Sequence, residues 1–258
     1  MRYEMLGRLH VIGAPGQAPR RLSAPKVESV LMALLVQANQ VVSVDQLITE
    51  VWDQRPPRRA TATIHVYVSQ LRKFLSSVEP AAQPLATVSP GYVLHVPPEA
   101  TDRHEFRSTV FRARTYAAAD RHAEAVPLLR DALAASEGTW RPAGEAGPVT
   151  AGFLTWLDET RLECKELLVD CLHALGQHRE LTGRLPGLVR QHPLHETFYR
   201  QLMLAYYRCG RRAEALNVYQ ALRTRLRAEL GLDPCRAAQE LHLAILSAED
   251  APVLQPTG

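Results

Sequence analysis

The sequence predicts a two-part fold, in which an α+β domain over residues 1–97 is followed by an all-α domain over residues 98–258. The first part mixes period-two apolar runs, typical of strands, with 3.6-residue periods, typical of helices. Almost every segment of the second part has the helical period alone. The adjacent prolines Pro97 and Pro98 mark the predicted boundary. A chain of 258 residues is long enough for two domains of ordinary size.

Positive charge is concentrated in the first part. With 46% hydrophobic and 22% charged residues the chain is expected to fold around a sizeable core, and its net charge is only +3. Residues 1–97, however, hold ten Lys or Arg against six Asp or Glu. This distribution is expected of an N-terminal region that contacts phosphate.

Cysteine usage and hydropathy indicate a cytoplasmic protein. The four cysteines have no CxxC spacing, and we expect free thiols in a reducing compartment. No apolar run approaches the roughly 20 residues of a membrane span. The N-terminal residues MRYEMLGRLHV lack the pattern of a signal peptide.

Strand and helix signals alternate through the first domain. Tyr3–Ile12 is predicted as a strand, followed by the turn-forming run GAPGQAP and a returning strand at Arg20–Leu22. Pro25 is predicted to open the first helix, because proline is well tolerated at the first helical position. Ser43 is the predicted N-cap of the second helix, whose expected inward residues are Leu47, Ile48, Val51 and Trp52.

A third, cationic helix is predicted within residues 56–75, after the two prolines that end the second helix. Its inner face consists of apolar residues at i, i+4, i+7 and i+11: Ile64, Val68, Leu71 and Leu75. The opposite face is predicted to hold Thr63, Val66, Tyr67, Gln70 and Lys73, with Arg58 and Arg59 at the helix entry. Hydrogen-bonding groups placed between cations suit a helix that lies in the major groove of DNA.

A hairpin closes the first domain. Leu85–Val88 and Tyr92–Val96 alternate across the turn residues SPG. Strands, three helices and a hairpin in this order outline a winged helix-turn-helix with an N-terminal sheet, and sequence-specific DNA binding is the leading hypothesis. The alternative is a small α+β domain whose basic helix is only a solvated face. That alternative leaves unexplained why the outward face of the third helix is nearly free of acidic residues.

The second domain is predicted to consist of seven helices. The segments with helical periodicity are 102–119, 121–137, 153–176, 178–191, 195–209, 211–230 and 234–247. The run at 135–152 is rich in Gly, Pro and Ala and is predicted to be a loop.

An internal repeat runs through these helices. CLHALGQHREL (171–181) and AYYRCGRRAEAL (205–216) place Gly176 and Gly210 in equivalent turns, 34 residues apart. This is the period of tetratricopeptide repeats, which stack antiparallel helix pairs. ADRHAEAV (119–126) resembles RRAEAL of the last repeat and is a candidate for an earlier, more divergent repeat. Such an array forms a concave surface that binds protein segments, or, alternatively, simply a packed helical domain.

The chain resembles the small antibiotic regulatory proteins of actinomycetes, the SARP family of transcriptional activators. LLVQANQVVSVDQLITEVW, PPRRA, IHVYVSQLRKFL and SPGYVL resemble their OmpR-type winged helix. HPLHETFYRQLMLAYYRCGRRAEALNVYQALRTRLRAELGLDP (192–234) resembles their bacterial transcriptional activation domain. The resemblance covers residues 1–250. It implies an activator of a secondary-metabolite gene cluster that binds direct repeats near the promoter −35 element as two protomers side by side. It also implies recruitment of RNA polymerase holoenzyme, including its sigma factor.

The resemblance also implies roles for single residues of the predicted DNA-binding domain. The base-facing positions of an OmpR-type recognition helix match Thr63, Val66, Tyr67 and Gln70. Gln70 is suited to an adenine edge, and the Val66 or Thr63 methyl groups to a thymine methyl. The predicted contacts to the DNA backbone are Arg58, Arg59, Arg72, Lys73 and Thr87. Arg72 could instead brace the fold through an acidic partner, and Tyr92 is expected to pack the hairpin against the helix. The wing tip carries no arginine for the minor groove.

Enzyme and metal motifs are absent from the sequence. It contains no GxxxxGK[ST] loop, HExxH, CxxC pair or GxSxG elbow. His192 and His195 flank Pro193, but no third metal ligand is suggested. We therefore expect no catalytic residues, no metal and no cofactor. Two other functions remain open: a DNA-tethered scaffold that binds a regulatory partner other than polymerase, and a repressor that acts by occupying the promoter.

Overall fold

The computed structural model describes residues 1–14, 16–138 and 145–247, which form two compact units. The first unit joins residues 1–111 with 131–162. The second joins residues 112–130 with the chain from 163 onward. The first unit thus extends beyond the prolines at 97 and 98 and includes parts of the helices that follow them.

The N-terminus forms a short hairpin, not the single strand that was predicted over Tyr3–Ile12. Strands β1 (Arg2–Glu4) and β2 (His10–Ile12) pair antiparallel, with Tyr3 opposite Val11. The connection between them buries consecutive apolar residues, Met5 and Leu6. Two adjacent inward side chains are incompatible with the alternation of an extended strand, so the chain turns here. The predicted returning strand at Arg20–Leu22 is limited to one bridge between Arg20 and Val11.

Three helices follow: α1 (Pro25–Val36), α2 (Val44–Trp52) and α3 (Ala60–Val78). Helix α1 begins at its proline, as predicted. Ser43 forms a capping box with Gln46, in which the Gln46 amide donates to Ser43 Oγ at 3.1 Å and the Ser43 amide donates to Gln46 Oε1 at 2.8 Å. Helix α3 begins later than residue 56, because a turn in which the Ala60 amide donates to the Pro57 carbonyl precedes it.

A three-stranded antiparallel sheet forms the wing. Its strands are β3 (Val42–Ser43), β4 (Leu85–Val88) and β5 (Gly91–Leu94), in the order β3-β5-β4. The hairpin β4–β5 was predicted, whereas β3 was not, because two residues are too short to show a period. Gly91 is required at its position, since a Cβ there would collide with the carbonyl oxygen of Val42 on the paired strand.

A short 3-10 turn at Pro98–Ala100 leads into the helices of the second half. These are α4 (Asp102–Ala118), α5 (His122–Ala135), α6 (Pro148–Ala174), α7 (His178–Gln191), α8 (Glu196–Arg208), α9 (Arg212–Leu230) and α10 (Arg236–Ser247). Helix α6 starts five residues before the predicted 153. Of the predicted loop at 135–152, residues 139–144 lie outside the described residues.

Three charged side chains join the winged helix to the following helices within the first unit. Glu50 of α2 is buried and accepts hydrogen bonds from the Val149 and Thr150 amides, at 2.9 and 3.0 Å, which caps α6. Asp102 accepts from the amides of Met5 and Leu6, while burial raises the pKa of its carboxyl. Arg103 donates to the Val36 carbonyl at 2.9 Å, and its guanidinium lies over the rings of Phe153 and Trp156. Each charge is therefore bonded to backbone, not left in solvent.

The second unit contains the repeated turns that the sequence indicated. Gly176 and Gly210 have φ angles of 72° and 75°, and Asp120 has φ 56° at the matching position of the more divergent member. The residue after each of them donates its amide to the carbonyl five residues before it: Arg121 to Tyr116, Gln177 to Leu172 and Arg211 to Tyr206. Helices α8, α9 and α10 enclose a core that includes Tyr199, Met203, Leu222, Leu226 and Ile245.

Across the described ranges, none of the helices is both long and apolar enough to span a membrane.

Candidate nucleic-acid interface

Helix α3 is fixed in rotation by its inner stripe. Ile64, Val68, Leu71, Leu75 and Val78 are all buried. At 3.6 residues per turn, the direction opposite to this stripe lies within about 40° of Ala62, Val66, Ser69 and Lys73. All four are exposed, Val66 to 53%. These four residues are the outward row of α3.

The side of α3 next to α2 carries three of the four predicted base-contacting residues: Thr63, Tyr67 and Gln70. The ring of Tyr67 stacks on Trp52 of α2, with centroids 5.9 Å apart, and Lys26 Nζ lies 5.1 Å from the Trp52 ring. The Thr63 hydroxyl donates to the Arg59 carbonyl at 2.9 Å, which leaves its methyl group and the acceptor lone pairs of its oxygen. Gln70 is exposed, and within the described part of the chain its amide makes no hydrogen bond.

The other side of α3 faces the wing. Arg72 donates from Nε to the Leu85 carbonyl at 3.2 Å and from Nη2 to Thr87 Oγ1 at 2.7 Å, and its guanidinium lies 5.8 Å from the Tyr92 ring centroid. The Tyr92 hydroxyl lies 2.6 Å from Nδ1 of His65. Arg72 therefore connects α3 to β4 and β5, through a carbonyl, a hydroxyl and a ring and not through the acidic partner that was considered. Tyr92 packs the hairpin against α3, as expected.

Uncompensated positive charge surrounds the outward row. Arg58 and Arg59 are exposed in the connection between α2 and α3, and Lys73 is exposed on α3. None of the three side chains has a hydrogen-bond or ion-pair partner among the described residues. The stretch 54–78 contains no Asp or Glu. The N-terminus of α3 adds the partial positive charge of its unpaired amides. This face therefore attracts polyanions.

The structure groups the predicted residues differently from the sequence. It brings Val66 and Lys73 into the outward row, places Thr63, Tyr67 and Gln70 beside α2, and joins Arg72 to Thr87. Ser69, central in the outward row, and His65, bonded to Tyr92, were not singled out from sequence. Averaging the directions of all five inner residues, including Val78, would have identified Ser69. The contact between His65 and Tyr92 has no signal in a single sequence.

The outward row and its flanks offer the groups that distinguish base pairs. Gln70 can pair with an adenine edge in bidentate fashion, the Ser69 hydroxyl can donate or accept, and the Val66 methyls suit a thymine methyl. Lys73, Arg58 and Arg59 supply point charges for phosphate. The fold and this face define the chain as a winged-helix transcriptional regulator.

Comparisons with known families agree with this class. The family model described as "Transcriptional regulatory protein, C terminal" matches residues 21–94, and that of the "Bacterial transcriptional activator domain" matches residues 101–246. The second match alone covers more than half of the chain. The chain belongs to the SARP family of transcriptional regulators.

Several curated relatives align with most of this chain, across both regions. The regulatory protein DnrI of Streptomyces peucetius is 32% identical over 232 residues, which are 88% of this chain and 85% of DnrI. The regulatory protein AfsR of Streptomyces griseus is 34% identical over 88% of this chain, but the match spans only 23% of AfsR. EmbR of Mycobacterium tuberculosis is matched over 58% of its length. The chain thus spans less than two thirds of each of these two longer relatives.

A solved structure has the same fold. It is that of Mycobacterium tuberculosis EmbR in complex with a low-affinity phosphopeptide, which superimposes with a TM-score of 0.85 at 31% identity. The match covers 98% of this chain and 66% of that chain.

Proposed function

We propose that this protein is a sequence-specific DNA-binding activator of a secondary-metabolite gene cluster. In this proposal it binds direct repeats near the promoter −35 element as two protomers placed side by side, and it recruits RNA polymerase holoenzyme with its sigma factor. The observation that carries the proposal is the face of α3: an outward row and flank of base-matching groups, surrounded by cations without partners, in a stretch free of acid.

The side chains divide into two roles. Val66, Ser69 and Gln70 read base edges, because methyl, hydroxyl and amide groups discriminate between base pairs. Arg58, Arg59 and Lys73 contact phosphates and position the helix without reading sequence. Tyr67, stacked on Trp52, contributes its hydroxyl edge at a fixed position. Two protomers on a direct repeat lie head to tail, so their contact need not have two-fold symmetry.

The first experiment identifies the DNA. The full-length protein selects binding sequences from a random duplex library, and the selected duplex is footprinted at several salt concentrations. We expect a direct repeat, protected on one face of the DNA, whose affinity falls steeply with salt. Selection of no sequence would contradict sequence-specific binding and would favour a basic helix that is only a solvated face.

The second experiment separates activation from the two alternatives that the sequence left open. A promoter carrying the selected repeat near its −35 element is transcribed in vitro with purified holoenzyme. Stimulation by this protein alone is the expected result. No effect, with the promoter occupied, would point to a DNA-tethered scaffold for another partner, and a decrease would point to a repressor that acts by occupancy.

A further inference from the structure

The contact between His65 and Tyr92, on the wing side of α3, determines which ring nitrogen of the neutral histidine carries the proton. His65 Nδ1 lies 2.6 Å from the hydroxyl of Tyr92, a residue only 4% exposed. Within the described residues this hydroxyl has no other hydrogen-bond partner. If Nδ1 were the donor, the phenolic proton would be left in a mostly buried position without an acceptor, which is unfavourable. The geometry therefore favours Tyr92 as donor and Nδ1 as acceptor.

This assignment determines what His65 presents to solvent. A neutral imidazole whose Nδ1 accepts carries its proton on Nε2. Nε2 points away from Tyr92, because the two ring nitrogens lie on different edges of the ring. His65 is exposed, so its Nε2–H is an oriented donor at the surface.

Two further contacts hold this donor in place. The guanidinium of Arg72 lies over the Tyr92 ring, and the same guanidinium is bonded to Leu85 and Thr87 of the wing. Arg72 makes these bonds on the flank of α3 where it was predicted to contact phosphate. Two of its N–H donors are directed into the wing, whereas the donor of His65 is directed outward.

The position of His65 indicates its partner. It lies on the flank of α3 between the outward row and the wing. When a helix lies in the major groove and a wing lies over the neighbouring groove, a sugar–phosphate strand runs between them. We propose that His65 donates from Nε2 to a phosphate of this strand, and that Tyr92 and Arg72 are positioning residues for it. This inference rests on the proposed function, since it requires DNA along α3.

The tautomer can be measured without DNA. Long-range ¹H–¹⁵N spectra of the full chain, assigned with the His65→Gln variant, distinguish a proton on Nε2 from one on Nδ1. We expect the Nε2–H form in the wild type and a mixture of tautomers in Tyr92→Phe, which removes only the hydroxyl. A wild-type His65 that carries its proton on Nδ1 would overturn the proposal.

The phosphate contact is tested with the duplex selected by the wild-type protein. Loss of a hydrogen bond to a charged group predicts that His65→Ala binds roughly tenfold more weakly. His65→Gln, whose amide places a donor near the Nε2 position, should restore most of the affinity, whereas His65→Asn should not. Because the lost donor is neutral, the salt dependence should stay unchanged. His104→Ala, at an exposed histidine of α4, is the matched control.

A phosphate scan locates the contact. Single phosphates of the selected duplex are replaced by neutral methylphosphonates. One replacement should weaken binding by the wild type but not by His65→Ala. If the wild type binds no duplex, the proposed function and this inference both fail. If the wild type binds but His65→Ala stays within twofold of it, or every replacement weakens both proteins alike, only the role of His65 is overturned.

Discussion

Three exposed cations beside α3 and many arginines of the second unit have different surroundings. Beside α3, Arg58, Arg59 and Lys73 have no carboxylate partner among the described residues. In the second unit, arginines pair with nearby acids: Arg121 with Glu124, Arg184 with Glu180, Arg211 with Glu214, and Arg227 with Asp233. Arginine is thus paired with an acid at many positions of the second unit, whereas Arg58, Arg59 and Lys73 beside α3 are left without a partner among the described residues. The absence of local partners, and not the net charge of +3, is what distinguishes the surface proposed to face DNA.

The largest effect is expected at Glu50, a buried charged residue whose hydrogen bonds go to backbone amides within the fold. Removing its carboxylate in Glu50→Ala leaves the Val149 and Thr150 amides without their acceptor in a buried site. We expect the free energy of unfolding to fall by about 3 kcal/mol. Chemical denaturation of the full chain measures this change.

Two variants control for the loss of charge. Glu50→Gln keeps an acceptor oxygen and should lose about half as much stability, whereas Asp45→Ala, exposed in the first turn of the same helix, should change it by less than about 0.5 kcal/mol. A loss below about 1 kcal/mol for Glu50→Ala would mean that α6 does not depend on this cap.

Glu50 also makes a contact that local sequence patterns could not predict. Periodicity predicted α7 over 178–191 as observed and came within a residue or two of α4, α8 and α9, because their apolar stripes are local. Ser43 was predicted as an N-cap from its residue type and its place just before an apolar-periodic run, and the structure adds its capping-box partner Gln46. Glu50, an acidic residue in an amphipathic helix, has the pattern of a solvated position. Its cap on α6 joins residues 99 and 100 positions apart, and no local pattern records such a contact.

In the candidate site, too, some features could be predicted from local spacing and others depend on long-range packing. The inner stripe of α3 was predicted from spacing alone, and with it the exposed positions of Val66 and Lys73. The engagement of Arg72 with Leu85 and Thr87 depends on how the wing packs against α3. The sequence alone left the role of Arg72 open, since an arginine beside a DNA-binding helix is equally typical of a phosphate contact.

Substitution of Gln70 tests whether this face of α3 reads bases. Its amide is exposed and without a partner among the described residues. With the selected duplex and its single-base-pair variants, Gln70→Ala should lose about 1–3 kcal/mol of discrimination at one base pair and little at the others. Affinities for the full set of variants measure the change. A loss of equal size on every sequence would show that Gln70 does not read a base.

Substitution of Lys73 tests whether the cations without partners contact phosphate. Lys73→Ala should weaken binding to all sequences alike and reduce the slope of log affinity against log salt by about one unit. Titrations at four or more salt concentrations give this slope. The matched control is Arg130→Ala in the second unit, which should leave the slope unchanged. A slope that responds equally to both substitutions would contradict the distinction between the two regions.

The smallest expected effect lies in the paired charges. Glu180 of α7 accepts hydrogen bonds from Arg130 of α5 and Arg184 of its own helix, both at 2.9 Å. All three side chains are substantially exposed, so solvent screens the pairs, and a double-mutant cycle between Arg130→Ala and Glu180→Ala should give a coupling of about 0.2–1 kcal/mol in stability. Arg130 is therefore expected to contribute weakly to stability and not to the salt dependence of DNA binding. Lys73 is expected to contribute to the salt dependence of DNA binding and not to stability. A coupling well above 1 kcal/mol would indicate that this bridge is more buried in solution, and the second unit would then depend on its ion pairs for its stability.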